Sequence, residues 1–105
     1  MTDQDRRIFK VFARGVKQAF PEAKILAFGS RARGDAGPDS DFDTCIVLPH
    51  CDRAAYKAIR GIAWEVGFEN ERMITTILFE EADFDRGPAS ESALVGIIRR
   101  EGLTA

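Results

Sequence analysis

Between Thr2 and Phe20 the apolar residues Ile8, Phe9, Val11, Phe12, Val16, Ala19 and Phe20 recur at largely helical spacing, with Thr2 or Asp3 placed to cap the first turn. Pro21 cannot continue such a helix and ends it. The next run, Ala23 to Phe28, is short and mostly apolar and closes on Gly29, which predicts a buried strand. From Arg33 to Ser40 the chain holds Gly34, Gly37, Pro38 and two Asp, the composition of a surface loop. Asp41 to Leu48 begins by alternating and becomes continuously apolar through Cys45, Ile46, Val47 and Leu48 before Pro49, as a central strand entered from a polar end does.

Beyond Asp52 a single helical stripe is formed by Ala55, Ala58, Ile59, Ile62, Ala63 and Val66, with Gly67 expected to stop it. Met73 to Phe79, rich in β-branched Ile74, Thr75, Thr76 and Ile77, predicts a third strand. After a polar loop through Gly87 and Pro88, Ser90 is expected to cap a last helix with Ala93, Leu94, Ile97 and Ile98 on its apolar face, ending near Gly102. The order helix, strand, loop, strand, helix, strand, helix predicts one α/β (α+β) domain over residues 1–105, in two or three layers. Trp64 and Phe68, near the end of the middle helix, are expected to be core or interface anchors rather than base-stacking platforms.

Composition narrows the class. With 45% hydrophobic and 30% charged residues among 105, the chain has the balance of a folded domain and not of a disordered tail. Its formal charge of −2 supplies no general positive field, so there is no strong sign of nucleic-acid binding and local clusters must carry any phosphate contact. The charged start from Asp3 to Arg7 is unlike a secretory leader, and no apolar run is long enough to span a membrane; a cytoplasmic location is the expectation. Cys45 and Cys51 are too few for a disulfide framework and are expected to be unpaired thiols, and His50 has no second ligand at zinc spacing.

The candidate chemistry lies between Phe28 and Leu48, FGSRARGDAGPDSDFDTCIVL, where a Gly-Ser pair follows one strand and Asp-Phe-Asp opens the next. Residues two apart in an extended chain project to one face, so Asp41 and Asp43 can converge on one cation while Phe42 turns into the core. Mg²⁺ takes one or two carboxylates together with waters and phosphate oxygens, which suits this pair to a metal carried in with a nucleotide. Gly29 permits close approach of the backbone to phosphate, Ser30 offers a hydroxyl and an amide, and Arg31 and Arg33 are placed to grip phosphate oxygens. A calcium loop built on Asp39, Asp41 and Asp43 is excluded, because Thr44 stands where glycine is needed and His50 where glutamate is needed.

Gly29-Ser30, a short loop, then Asp41-Phe42-Asp43 at a strand mouth resembles the DNA polymerase β nucleotidyltransferase superfamily, and the order of elements is similar to its minimal nucleotidyltransferase branch. The resemblance implies a nucleotidyltransferase fold with a small mixed three-stranded sheet packed with helices. It implies Asp41 and Asp43 as catalytic and Mg²⁺-binding residues, with Gly29, Ser30, Arg31 and Arg33 on the nucleotide, and transfer of AMP from ATP to a hydroxyl acceptor. It also implies a helical HEPN-type protein as partner, silenced in an antitoxin role; the oligomeric state is left open. Members of the superfamily place a third carboxylate on the strand assigned here to Met73 to Phe79, where this chain offers Thr75 and Thr76. A threonine hydroxyl is a weak neutral ligand, so the alternative implied is a catalytically weak, partner-binding module of the same fold.

Overall fold

The computed structural model describes all of residues 1–105. Helix α1 (Asp3–Ala19) starts where the Thr2 hydroxyl accepts from the Asp5 amide, and it buries Ile8, Phe9, Phe12, Ala13 and Val16 along one face. The Phe20 amide closes the helix on the Val16 carbonyl at 2.7 Å, just before Pro21. Strand β1 (Lys24–Phe28) runs directly into the short helix α2 (Gly29–Arg33), and the loop that follows leads to β2 (Phe42–Leu48). Helix α3 (Arg53–Glu69), capped by the Asp52 carboxylate on the Ala55 amide at 2.8 Å, leads to β3 (Ile74–Glu80). A short helix α4 (Glu81–Asp85), a single 3₁₀ turn (Pro88–Glu91), helix α5 (Ala93–Glu101) and a two-residue strand β4 (Leu103–Thr104) complete the chain.

The strands form one mixed sheet in the order β3-β2-β1-β4. β1 lies antiparallel to β2, with Phe28 opposite Asp43, and β2 lies parallel to β3, with Asp43 opposite Thr75. A parallel pair requires a crossover, and α3 provides it. Alternation along β2 then serves two cores. Phe42, Ile46 and Leu48 pack with α1 and α3, whereas Cys45 and Val47 join Phe28, Phe84, Val95 and Ile98 on the opposite face. Burial on both faces accounts for the unbroken apolar run in β2 and makes the domain three layers, helices on each side of the sheet. No helix is long and apolar enough to cross a membrane.

The α+β class and the order of the long elements follow the sequence pattern, but the stretch expected as a polar loop holds α4 and the 3₁₀ turn, β2 starts at Phe42 and not Asp41, and the sheet, one helix end and one cap also differ. The sheet has four strands, not three, because Leu103 and Thr104 pair with Ala27 and Leu26 beyond the last helix. Helix α3 does not stop at Gly67 but runs to Glu69, where the Asn70 side-chain amide donates to the Val66 carbonyl at 2.8 Å. Gly67 is buried inside that helix because a Cβ there would collide with the Arg72 carbonyl of the returning chain. The last helix is capped by Ser92, which accepts from the Val95 amide at 3.1 Å, and Ser90 instead donates from the preceding turn to the Gly87 carbonyl at 2.6 Å. Replacing Ser92 by Ala is therefore expected to cost about 1 kcal/mol, and Ser92→Asp to cost much less, in urea unfolding. Equal midpoints for the two variants would contradict the cap.

Candidate nucleotide site

β1 delivers the chain to Gly29 in a left-handed conformation, φ +76°, and the backbone turns there into α2. A Cβ on Gly29 would stand 2.5 Å from Asp43 Oδ2, so the absence of a side chain is what lets the bend lie against the carboxylate. Asp43 is half-buried at the start of β2, and its other oxygen, Oδ1, accepts from the Thr75 hydroxyl at 2.7 Å. The carboxylate is thus oriented by a hydroxyl on β3, while the bare Cα of Gly29 leaves space for its other oxygen. Asp41 lies one residue before β2 and is exposed. Neither Asp41 nor Asp43 forms an ion pair within the chain. Ser30, half-buried, is the second residue of α2, whose first amides have no partner within the helix.

The two arginines go elsewhere. Arg31 is buried, and its guanidinium donates to both Asp5 oxygens at 3.4 Å and to the carbonyls of Gly37, Pro38 and Ser40 at 3.0–3.3 Å. With its donors spent on protein acceptors, Arg31 ties the loop to α2, and the expected grip on phosphate gives way to that task. Arg33 is exposed and bridges Asp35 at 3.2 Å and Glu101 at 3.1 Å, joining α2 to α5. The hydrogen bonds it donates to Asp35 and then to Glu101 raise its pKa further above the usual guanidinium value, so it stays charged. The structure therefore brings Gly29 against Asp43, with Ser30 next along the chain from Gly29 and Asp41 two residues before Asp43, and it commits both guanidinium groups to carboxylates or carbonyls.

Thr75 is the residue opposite Asp43 in β3, and Thr76 falls on the other face beside Thr44, whose hydroxyl donates to the Thr75 carbonyl at 2.7 Å. No group of three or more His, Cys, Asp or Glu side chains converges anywhere in the structure. Glu80, at the far end of β3, accepts from the Cys51 amide at 3.0 Å, and His50 lies beside it at 3.8 Å. Cys45 is sealed in the second core, where burial pushes its thiol up to about 12, and it remains protonated at neutral pH. Two carboxylates with waters and phosphate suffice for a nucleotide-borne Mg²⁺, and the hard-oxygen donors, with no cation of the chain paired to them, fit that ion.

Sequence reasoning missed the buried Asp5, which pairs with both Arg31 and Arg72. The signal for Asp5 was present, since it sits three and four residues before Ile8 and Phe9 on the buried stripe of α1, where an acid needs a partner. Trp64 and Phe68 are not core residues: they are 69% and 72% exposed and stack on each other with centroids 5.2 Å apart. They line an open groove of about 1210 Å³ beside the start of β3, which meets the aspartate site only at Thr75.

The family model for the nucleotidyltransferase domain matches residues 10–98. A strand leading into a glycine-serine bend against the mouth of the next strand, in a small mixed sheet flanked by helices, is a nucleotidyltransferase fold. The chain belongs to the nucleotidyltransferase domain family. Among solved structures it is similar to a toxin-antitoxin with AMP-PNP, at 15% identity and a TM-score of 0.59, covering 95% of this chain and 70% of that one. It is similar also to a mutant of the toxin-antitoxin MntA-HpeT, at 14% identity and a TM-score of 0.60 over the same shares of the two chains. A putative nucleotidyltransferase from Sulfolobus solfataricus aligns at 20% identity with a TM-score of 0.52, covering 97% of this chain and 82% of that one. No curated protein matches the sequence.

Proposed function

We propose that the chain transfers a nucleoside monophosphate, AMP from ATP, to a hydroxyl on a protein partner, and that it does so as the antitoxin of a toxin-antitoxin pair. The observation that carries the chemistry is the close approach of the Gly29 bend to Asp43, which sets a backbone suited to phosphate against a carboxylate suited to a metal. The similarity to toxin-antitoxin structures supports the partner, for which a helical HEPN-type toxin is the class expected. Gly29 and Ser30 would hold the phosphates through backbone amides and the serine hydroxyl, while Asp41 and Asp43 would hold Mg²⁺. When bound, that ion supplies neutralisation of the polyphosphate and of the departing pyrophosphate. Thr75 fixes Asp43 Oδ1 and so leaves Oδ2 as the freer oxygen. Arg33, exposed and held by two surface carboxylates, is the arginine that can exchange a partner for phosphate.

The test is transfer of labelled AMP from ATP, with and without Mg²⁺, onto the protein encoded beside this one. Labelling that requires Mg²⁺ is expected. A second reading, a partner-binding module with little chemistry, is favoured by two observations: Thr75 in place of an acid opposite Asp43, and the exposed Trp64 and Phe68 stack. On that reading the wild type labels nothing yet binds its partner, and Trp64→Ala weakens the complex. Mg²⁺-dependent labelling by the wild type would exclude it.

A further inference from the structure

Asp5 is 2% exposed, yet its carboxylate touches two arginines from distant parts of the chain. Arg31 reaches it from α2 at 3.4 Å and Arg72 from the turn before β3 at 3.5 Å. The Arg72 Nε is buried and makes no hydrogen bond, so its main interaction there is the charge of Asp5. A buried charge without partners is costly, and this one is balanced by two cations. Buried ionic groups of this kind are poor sources of net stability and are better suited to fixing one arrangement of elements against another.

The places these contacts reach give that role its content. Arg31 follows Ser30 directly, and its Nη2 and Nε both donate to the carbonyl of Ser40, which directly precedes Asp41. Arg72 stands three residues before Thr75, the donor that orients Asp43. The phosphate bend, the aspartate strand and the threonine strand are thus each fastened close to their functional residue, and the fastenings meet at one carboxylate on α1.

We propose that Arg31, with Asp5 as its anchor and Arg72 as the second arm, is a positioning residue for nucleotidyl transfer: it sets the separation between the Gly29–Ser30 bend and Asp41 and Asp43. The inference rests on the transfer reading given above. It assigns Arg31 no contact with nucleotide, since the guanidinium is occupied by five acceptors: two carboxylate oxygens and three carbonyls. Lysine at this place would keep the charge opposite Asp5 but has one nitrogen and no planar fork, so it cannot also span the three carbonyls. A displacement of about 1 Å between reacting groups costs on the order of 10²-fold in rate.

The experiment compares the wild type, Arg31→Lys and Asp5→Asn in the labelled-AMP transfer assay, each well below its own melting midpoint, with ATP and Mg²⁺ varied separately. Both variants are expected to lose about 10²-fold in kcat while KM for ATP changes less than about threefold, because alignment is lost and the phosphate contacts are kept. A rise in KM with kcat unchanged would mean that Arg31 binds phosphate itself and overturns the proposal. A lowered melting midpoint with kcat intact would make the cluster merely structural, and it overturns the proposal equally. A wild type that transfers nothing overturns the transfer reading and this inference with it, whereas an active wild type whose variants keep kcat overturns this inference alone.

Discussion

Asp43→Asn is expected to lower AMP transfer by about 10³-fold or more while leaving the melting midpoint close to that of the wild type. The two halves of that expectation come from different atoms of one side chain. Asn keeps an oxygen that can accept from the Thr75 hydroxyl, the contact at 2.7 Å, so the local structure has what it needs. What is lost is the negative charge facing Gly29, and a neutral amide is a poor ligand for a hard cation. Electrostatic stabilisation by a metal in such a reaction is worth several kcal/mol, and about 4 kcal/mol corresponds to the stated factor. Asp41, exposed and without an internal partner, is expected to show the same dissociation of activity from stability on replacement by Asn. Initial rates and thermal unfolding on the same preparations check both halves. Activity within tenfold of the wild type would remove Asp43 from the reaction.

Gly29→Ala is expected to damage both stability and activity, for a reason read from one position. The residue sits at φ +76°, where an L side chain is strained by about 1–2 kcal/mol. The added methyl would stand 2.5 Å from Asp43 Oδ2, so Asp43 must move, and moving it disturbs the Thr75 hydrogen bond. A total loss of about 2–3 kcal/mol in unfolding free energy is expected, together with about 10²-fold in transfer. Gly61 supplies the control, because nothing lies within 4 Å of its missing Cβ and it stands in the middle of α3. Gly61→Ala should stabilise the protein by up to about 1 kcal/mol and leave transfer unchanged. Equal behaviour of the two glycine variants would mean that the bend does not press against the aspartate.

The long elements were legible because each carries a period. α1 and α3 show one apolar stripe, and β2 shows the unbroken run of a strand buried on both faces. Strand β4 was not legible, since two residues, Leu103 and Thr104, have no period and gain strand structure only from pairing with β1. Gly67 misled for a comparable reason: a glycine near a helix end reads as a stop, but here it makes space for the Arg72 carbonyl returning from a later turn. Ser90 and Ser92 differ by two residues, and only the geometry of the preceding 3₁₀ turn decides which of them caps α5.

In the candidate site, the opposition of Gly29 and Asp43 could be anticipated because both flank one antiparallel strand pair, so closeness in sequence became closeness in space. The fate of Arg31 could not. Its partners include Asp5, 26 residues away, and loop carbonyls whose direction depends on the backbone between Gly37 and Ser40. An arginine beside a phosphate motif reads as a phosphate ligand until the fold supplies a buried acid to claim it.

The central claim is that the bend at Gly29 and Ser30 and the aspartates of β2 hold a metal-borne triphosphate between them. Calorimetric titration of a non-hydrolysable ATP analogue into the wild type, Asp41→Asn and Asp43→Asn, each with Mg²⁺ and with EDTA, tests it most directly. Binding by the wild type that needs Mg²⁺, and that weakens at least about tenfold in each variant, corresponding to about 1.4 kcal/mol, is the predicted result. Binding of equal strength in EDTA, or unchanged in the aspartate variants, would contradict it.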